Sequence, residues 1–223
     1  MKLRNVWKTG TAILFLLSTH SMLAAVDWNS QHEHHEQEES GRDRDRWMWQ
    51  LPERVLDAIG LEEGMAVADV GAGEGYFTWR LAERVGKGGK VYANEIDEAL
   101  LKRISSEAKA KGFSNVVSVQ GTADDPKLPE KAFDIVLMVN VTHYIDEPET
   151  YFRKLETSLK EDGKLVIVQW DATKMNIEAD LIASDKKKFS EDAIVVPVEA
   201  AGFEIVAKET FLPVQNLYIC QPK

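Results

Sequence analysis

The residues best suited to chemistry fall in three short stretches. The first is VADVGAGEGYFT, residues 67–78, where an apolar run ends at Asp69 and Val70 and gives way to Gly71, Ala72, Gly73 and Gly75. Glycines at this spacing let the backbone take positive φ and come close to a ligand. A helix starting just beyond them presents free N–H groups and the positive end of its dipole, which suits a polar or anionic group. The second stretch is Glu95, 20 residues past Gly75 at the end of the next apolar run. A carboxylate there is placed to accept hydrogen bonds from two adjacent hydroxyls. The third is NVTHY, residues 140–144, directly after IVLMV. His143 is the one histidine past residue 35, the others being His20, His32, His34 and His35. A neutral imidazole takes a proton from a hydroxyl or an amine near physiological pH. The alternative is a histidine that caps a helix, packs beneath the site or positions a substrate.

These residues need a frame, and the apolar pattern supplies one. Residues 65–70, 90–96, 116–120, 133–139 and 165–170 read as strands, apolar on both faces. Between them, 52–59, 76–85, 98–111 and 149–159 have helical spacing, with Gly60 and Gly112 as stops and a turn at Asp162-Gly163 before the fifth strand. Strands of this kind alternating with helices make a parallel sheet covered on both faces. The end of the chain departs from the pattern. Residues 205–210 and 217–220 are strands joined by a short loop at Pro213, and a loop that short joins only antiparallel neighbours. The expected fold is α/β, a Rossmann-like seven-stranded sheet, mostly parallel with an antiparallel last strand, and helices on both faces. In such a sheet, ligands bind at the carboxyl ends of the strands, where Gly71–Gly75, Glu95 and residues 140–144 all lie.

The glycine pattern is GxGxG, with the third glycine one position earlier than in the dinucleotide fingerprint GxGxxG. Preceded by Asp69, it resembles motif I of class I S-adenosylmethionine-dependent methyltransferases. The resemblance runs from about Trp47 to the end of the chain. GTADDPKLP (121–129) is similar to the adenine-edge loop of these enzymes, LKEDGKLVIVQW (159–170) to the approach to their fifth strand, and EAAGFEIV (199–206) to the approach to their sixth. RWMWQLPERVLDAIGL (46–61) resembles a subgroup of often exported bacterial methyltransferases. The resemblance implies S-adenosyl-L-methionine as cofactor, held by Asp69, Gly71, Ala72, Gly73, Gly75, Glu95, Ile96, Ala123, Asp124 and Asn140. In that arrangement Glu95 meets the ribose hydroxyls, Ile96 packs on the adenine face, and Ala123 and Asp124 meet its edge. Asn140, His143 and Tyr144 then face the transferred methyl. Members of the subgroup often carry an acid followed by Tyr-His-His there, from which this chain departs. The insertion at 171–189 and the segment 47–51 are expected to cover the acceptor, with Trp47, Trp49 and Trp170 lining an aromatic site or packing in the core. The implied function is methyl transfer to a small molecule. Alternatives are a protein or peptide methyltransferase, a cofactor-binding domain without turnover and, further off, a nucleotide-dependent oxidoreductase.

Composition narrows the rest. The chain has 223 residues, 44% hydrophobic and 29% charged, enough for one self-sufficient core. A net charge of -10 argues against nonspecific nucleic-acid binding, which needs a basic face. Residues 1–25 combine Lys2, Arg4 and Lys8 with an apolar run and Ala24-Ala25, the layout of a cleavable export signal. The alternative is an uncleaved anchor. The expectation is therefore an exported domain with no integral membrane span once the leader is removed. Residues 26–46 are polar and acidic, with His32, His34 and His35 but no apolar period, so they read as a disordered tether. The methyltransferase-like domain is then 47–223. A single cysteine, Cys220, forbids an intrachain disulfide and reads as a buried strand thiol.

Overall fold

The computed structural model describes residues 41–174 and 188–223. The leader, the three linker histidines and most of the insertion at 171–189 lie outside them. Contacts divide the chain into two units, Met1–Arg44 and Asp45–Lys223, and every candidate site residue falls in the second. Helix α1 (Gly41–Gln50) begins before the expected end of the linker at 46. Helix α2 (Pro52–Ala58) follows, its start set by Pro52, whose missing N–H costs nothing in a first turn.

The sheet is built by β1 (Ala66–Val70), β2 (Lys90–Glu95), β3 (Val116–Gln120), β4 (Phe133–Val139), β5 (Leu159–Trp170), β6 (Phe203–Glu209) and β7 (Gln215–Pro222). Its order is β3-β2-β1-β4-β5-β7-β6. Strands β1 to β5 pair in parallel, and β7 runs antiparallel to both β5 and β6. Six strands thus share one direction and the last opposes them, as the short final loop required. Leu217 and Cys220 sit opposite Val168 and Leu165 of β5.

Helix α3 (Tyr76–Val85) buries Phe77, Leu81 and Val85, and α4 (Glu98–Lys111) buries Leu101, Ile104 and Ala108. Asp97 caps α4, accepting from the N–H groups of Ala99 and Leu100, which satisfies donors that a helix start leaves open. Helices α5 (Pro148–Ser158) and α6 (Asp192–Ala200) pack together on the other face. The core has two layers. One places Leu56, Phe77 and Leu81 against Ile135 and Val166. The other places Phe133, Phe152 and Phe203 around Ile167 and Tyr218. Burying each such side chain contributes about 1.5–3 kcal/mol, so neither layer is dispensable.

One expectation is corrected. The fifth strand does not begin after a turn at Asp162-Gly163. It starts at Leu159 and carries that stretch as an irregularity, because Phe133 pairs with Leu159 while Ile135 already pairs with Lys164. Gly163 permits this: a Cβ there would stand 2.7 Å from the carbonyl oxygen of Phe133.

The strand order reverses between β1 and β4, whose neighbours lie on opposite sides. The crevice at their carboxyl ends is the topological switch point, where open α/β sheets hold ligands.

Candidate functional site

Asp69 is 2% exposed near the end of β1. Its carboxylate accepts the Thr78 hydroxyl at 2.6 Å, tying the strand to the first turn of α3. Burial pushes the Asp69 carboxyl up to about 6, against the opposing pull of the Thr78 bond and the charge of Arg46. The turn between them is held by backbone. Gly71 N and Ala72 N both donate to Asn94 O, at 2.9 and 3.0 Å, and Gly75 N donates to Ala72 O at 2.9 Å.

Gly71, Gly73 and Gly75 all have positive φ, but for different ends. A Cβ on Gly71 would lie 2.4 Å from Val141 Cγ2, and one on Gly75 would lie 2.8 Å from the Trp79 ring. Those two glycines let neighbours close in. Around Gly73 nothing lies within 4 Å of the same point. Gly73 is therefore where the loop leaves room for a ligand.

Glu95 ends β2 beside that room. Its Oε2 accepts from Gly73 N at 2.9 Å, and its Oε1 from Ile96 N at 2.8 Å and Asp97 N at 3.2 Å. Three backbone donors fix the carboxylate's orientation. By lone-pair count Oε2 keeps one acceptor site and Oε1 none. Ile96, next along, is 58% exposed, so its side chain is available to an apolar ring.

Asn94 is a site residue that the sequence motifs did not single out. It is 2% exposed, and its Nδ2 donates to Pro126 O at 2.7 Å and Val119 O at 3.3 Å. It thereby ties the end of β2 to the loop carrying Ala123 and Asp124. Both of these are exposed. The Asp124 carboxylate accepts the Thr122 hydroxyl at 2.6 Å, which holds it below the usual carboxylate range. Lys154 Nζ donates to Asp124 O at 2.8 Å and braces the loop from α5. A polar residue directly after the run VYA (91–93) of β2 is the signal that points to Asn94.

Beyond β4 the backbone takes a left-handed residue, Asn140 at φ 58, a conformation that asparagine tolerates better than most. Its Oδ1 accepts from Gln215 Nε2 at 2.7 Å, and Gln215 Oε1 accepts from Gln50 Nε2 at 3.3 Å. Arg46 Nε donates in turn to Gln50 Oε1 and its guanidinium stacks on Tyr76, 4.0 Å from the ring centroid. Helix α1 thus reaches the site through a chain of amides. Trp49 also packs on Trp170, with ring centroids 4.8 Å apart.

Thr142–Tyr144 form one 3-10 turn. The His143 ring lies 4.0 Å from that of Tyr144 and 5.0 Å from that of Phe189. Its Nδ1 is 2.9 Å from Gln169 Nε2. Tyr144 is 75% exposed. Asn140 and His143 are close in sequence, yet their amide partners differ, Gln215 for one and Gln169 for the other. Gln50, Gln169 and Gln215 are all buried, and sequence motifs did not single them out. A glutamine closing the run LVIVQ was the available signal. A cavity of about 560 Å³ opens beside this end of the sheet, lined by Trp170, Asp171, Phe189, Lys208, Asn216 and Tyr218.

Among the described residues no group of three or more His, Cys, Asp or Glu side chains is placed to hold a metal ion. No described helix is long and apolar enough to cross a membrane.

Comparison with known proteins bears on what this geometry is for. The model of a family described as a methyltransferase domain matches residues 61–212. A solved S-adenosylmethionine-dependent methyltransferase from Aquifex aeolicus is 26% identical, with a TM-score of 0.70 over 78% of this chain and 91% of that one. The ubiquinone/menaquinone biosynthesis C-methyltransferase UbiE of Shewanella sp. (strain W3-18-1) is 28% identical over 117 residues, 52% of this chain and 47% of that protein. Nocamycin O-methyltransferase of Saccharothrix syringae is 36% identical over 113 residues, 50% of this chain and 40% of that one. The chain thus spans about half the length of these curated relatives. The family match covers well over half of the chain and contains the glycine turn, Glu95, the Asp124 loop and the turn after β4: the chain belongs to the methyltransferase-domain family.

Proposed function

We propose that this chain catalyses S-adenosylmethionine-dependent methyl transfer to a small-molecule acceptor. The observation that carries the proposal is the coupling of an open Gly73 to an oriented Glu95 across a 2.9 Å bond at the switch point. The residues fit the cofactor. Glu95 Oε2 and the space at Gly73 take the ribose, Ile96 the adenine face, and Ala123 and Asp124 the adenine edge. When bound, S-adenosylmethionine supplies a methyl group on a sulfonium, already a good leaving group. The chain's own task is then mainly to bring the acceptor into line, the kind of work that proximity and orientation perform.

Asn140, His143 and Tyr144 do that work. Asn140 is held by Gln215, and its left-handed backbone turns the chain after β4 back over the switch point. His143 supplies an imidazole for hydrogen bonding or proton exchange with the acceptor, and the exposed Tyr144 ring gives an apolar wall. The cavity beside Phe189 offers room for a small molecule. The similar proteins named above, a C-methyltransferase of ubiquinone/menaquinone biosynthesis and an O-methyltransferase named for nocamycin, support a small-molecule class.

Calorimetry with S-adenosylhomocysteine and with NAD tests the cofactor: binding of the first and not the second is expected. A methyl-release assay over a panel of small hydroxyl, amine and activated-carbon acceptors then tests turnover. Transfer to peptides alone would sink the acceptor class, and binding of NAD alone would sink the whole proposal. Export through residues 1–25 is part of the same proposal. N-terminal sequencing of the mature protein tests it, and an intact Met1 would reject cleavage.

A further inference from the structure

Tyr151 is a buried phenol in a place that packing alone would give to phenylalanine. It lies near the start of α5 and is 5% exposed. It belongs to the core layer that contains Val70, the last residue of β1, and Met138, the next to last of β4. The same layer uses Phe133, Phe152 and Phe203 as its large rings. Among the described residues none hydrogen-bonds the Tyr151 hydroxyl. A buried tyrosine usually finds a partner for its O–H, and an exception in a native structure calls for a reason.

The reason lies in where the hydroxyl points and what stands around it. Side chains on a helix lean toward its N-terminus. Helix α5 follows the turn that ends β4, so its N-terminus stands at the carboxyl end of the sheet and Tyr151 leans toward the crevice. One turn further along, Lys154 Nζ donates to Asp124 O at 2.8 Å and pairs with Asp125 Oδ2 at 3.2 Å. This side of α5 is thereby set against the loop that carries Ala123 and Asp124. Burial pushes the Tyr151 hydroxyl up, and the charges of Asp125 and then Glu95 push it further. The group therefore stays protonated at neutral pH and offers an O–H. Asp125 belongs to the loop assigned above to the adenine edge, and Glu95 stands at the ribose.

The chemistry of these groups is complementary. Glu95 and Asp124 are carboxylates, which only accept hydrogen bonds. They suit the ribose hydroxyls and the adenine amino group. The ring nitrogens of adenine carry lone pairs and need donors, which no carboxylate supplies. A protonated phenol between the two acids supplies one. We infer that Tyr151 is a further cofactor-binding residue, its hydroxyl donating to a ring nitrogen of the adenine, a role that rests on the S-adenosylmethionine binding proposed above.

Tyr151→Phe removes the hydroxyl and keeps the ring. Calorimetry with S-adenosylhomocysteine is expected to show affinity about fivefold weaker than in the wild type, the loss of one neutral hydrogen bond. The melting temperature of the unliganded variant should match or exceed the wild type's, because the hydroxyl has no protein partner to lose. Analogues of S-adenosylhomocysteine in which single ring nitrogens are replaced by C–H then locate the bond. For one of them the difference between wild type and Tyr151→Phe is expected to vanish, while the others keep it. Affinity reduced less than about twofold in the variant, with the wild type binding well, overturns the role of Tyr151 and leaves the proposed function standing. So does a full difference for every analogue, which would place the hydroxyl away from the adenine ring. A melting temperature clearly below the wild type's would show the hydroxyl serving the fold, and would overturn the inference as well. If the wild type itself binds no S-adenosylhomocysteine, the proposed function fails and this role fails with it.

Discussion

The two sides of the switch point are made of different material. On the β1–β2 side the site is mostly backbone: Gly71, Ala72 and Gly73 donate N–H groups to Asn94 O and Glu95, and the glycines shape the space. On the β4–β5–β7 side it is mostly amide side chains, Asn140 just after β4, Gln169 of β5 and Gln215 of β7, the first and last joined to helix α1 through Gln50. A backbone cradle is specified by few residue types and binds whatever has the matching outline. An amide layer is specified side chain by side chain and can change without disturbing the sheet beneath. This division suits an enzyme whose cofactor is constant and whose acceptor varies.

The comparison can be broken most severely at Gly71. Gly71→Ala places a Cβ against Val141 and a side chain at φ 73, and is expected to destabilise the fold by about 3 kcal/mol or more in denaturant titration. Gly73→Ala meets nothing and should lose only about 1–2 kcal/mol of stability for its left-handed backbone, yet weaken S-adenosylhomocysteine binding. Equal stability losses for the two would mean that the loop's glycines do not divide packing from access.

Asp69 gives a pH test. Its folded-state carboxyl lies at about 6, above the ordinary 3.8, so the fold favours the neutral form. Its stabilising effect is complete below pH 3.8 and is lost as pH rises through 6. Asp69→Asn avoids the buried charge. The variant is therefore expected to be more stable than wild type by up to about 3 kcal/mol at neutral pH, with the advantage fading to nothing in acid. Thermal melts of both proteins across that range check it, and a variant advantage that grows in acid would contradict the sign.

Glu95→Ala is expected to weaken S-adenosylhomocysteine binding by about 1.5–3 kcal/mol, one hydrogen bond to a charged group, because only Oε2 retains capacity. Its melting temperature should change little, since the three donors it releases are within reach of water. A loss of affinity below threefold in calorimetry would remove Glu95 from ribose binding. The smallest effect belongs to the amide side. Gln215→Leu deprives Asn140 of its donor and should cost about 1 kcal/mol in stability. Methyl-transfer assays should show a raised KM for the acceptor with the cofactor's affinity unchanged.

How much of this was legible depends on which material carries it. Sheet direction, the antiparallel end and the glycine turn followed from apolar periods and from glycine itself, which has few substitutes where φ is positive. Asp69, Glu95 and the 140–144 turn were legible for the same reason, being chemically distinct residues at the ends of apolar runs. Asn94, Gln169, Gln215 and Gln50 were not. A hydrogen bond between side-chain amides 75 residues apart in sequence, as from Gln215 to Asn140, leaves no periodic trace. Its meaning appears only when β7 is seated beside β5. The start of β5 was misjudged because Asp162-Gly163 has the composition of a turn, while the partner strand absorbs it as a bulge.

Cys220 has a practical consequence. It is the only cysteine of the chain, 0% exposed, and it stands in β7 between Leu165 of β5 and Ile205 of β6. Burial pushes its thiol up to about 12, so almost none is thiolate, the form that reacts. Alkylation at this position must wait until the β5–β7–β6 edge of the sheet opens. The molecule thus carries its own stopwatch: the rate at which a maleimide labels the native protein, followed by mass, times the opening of that edge without any engineered probe.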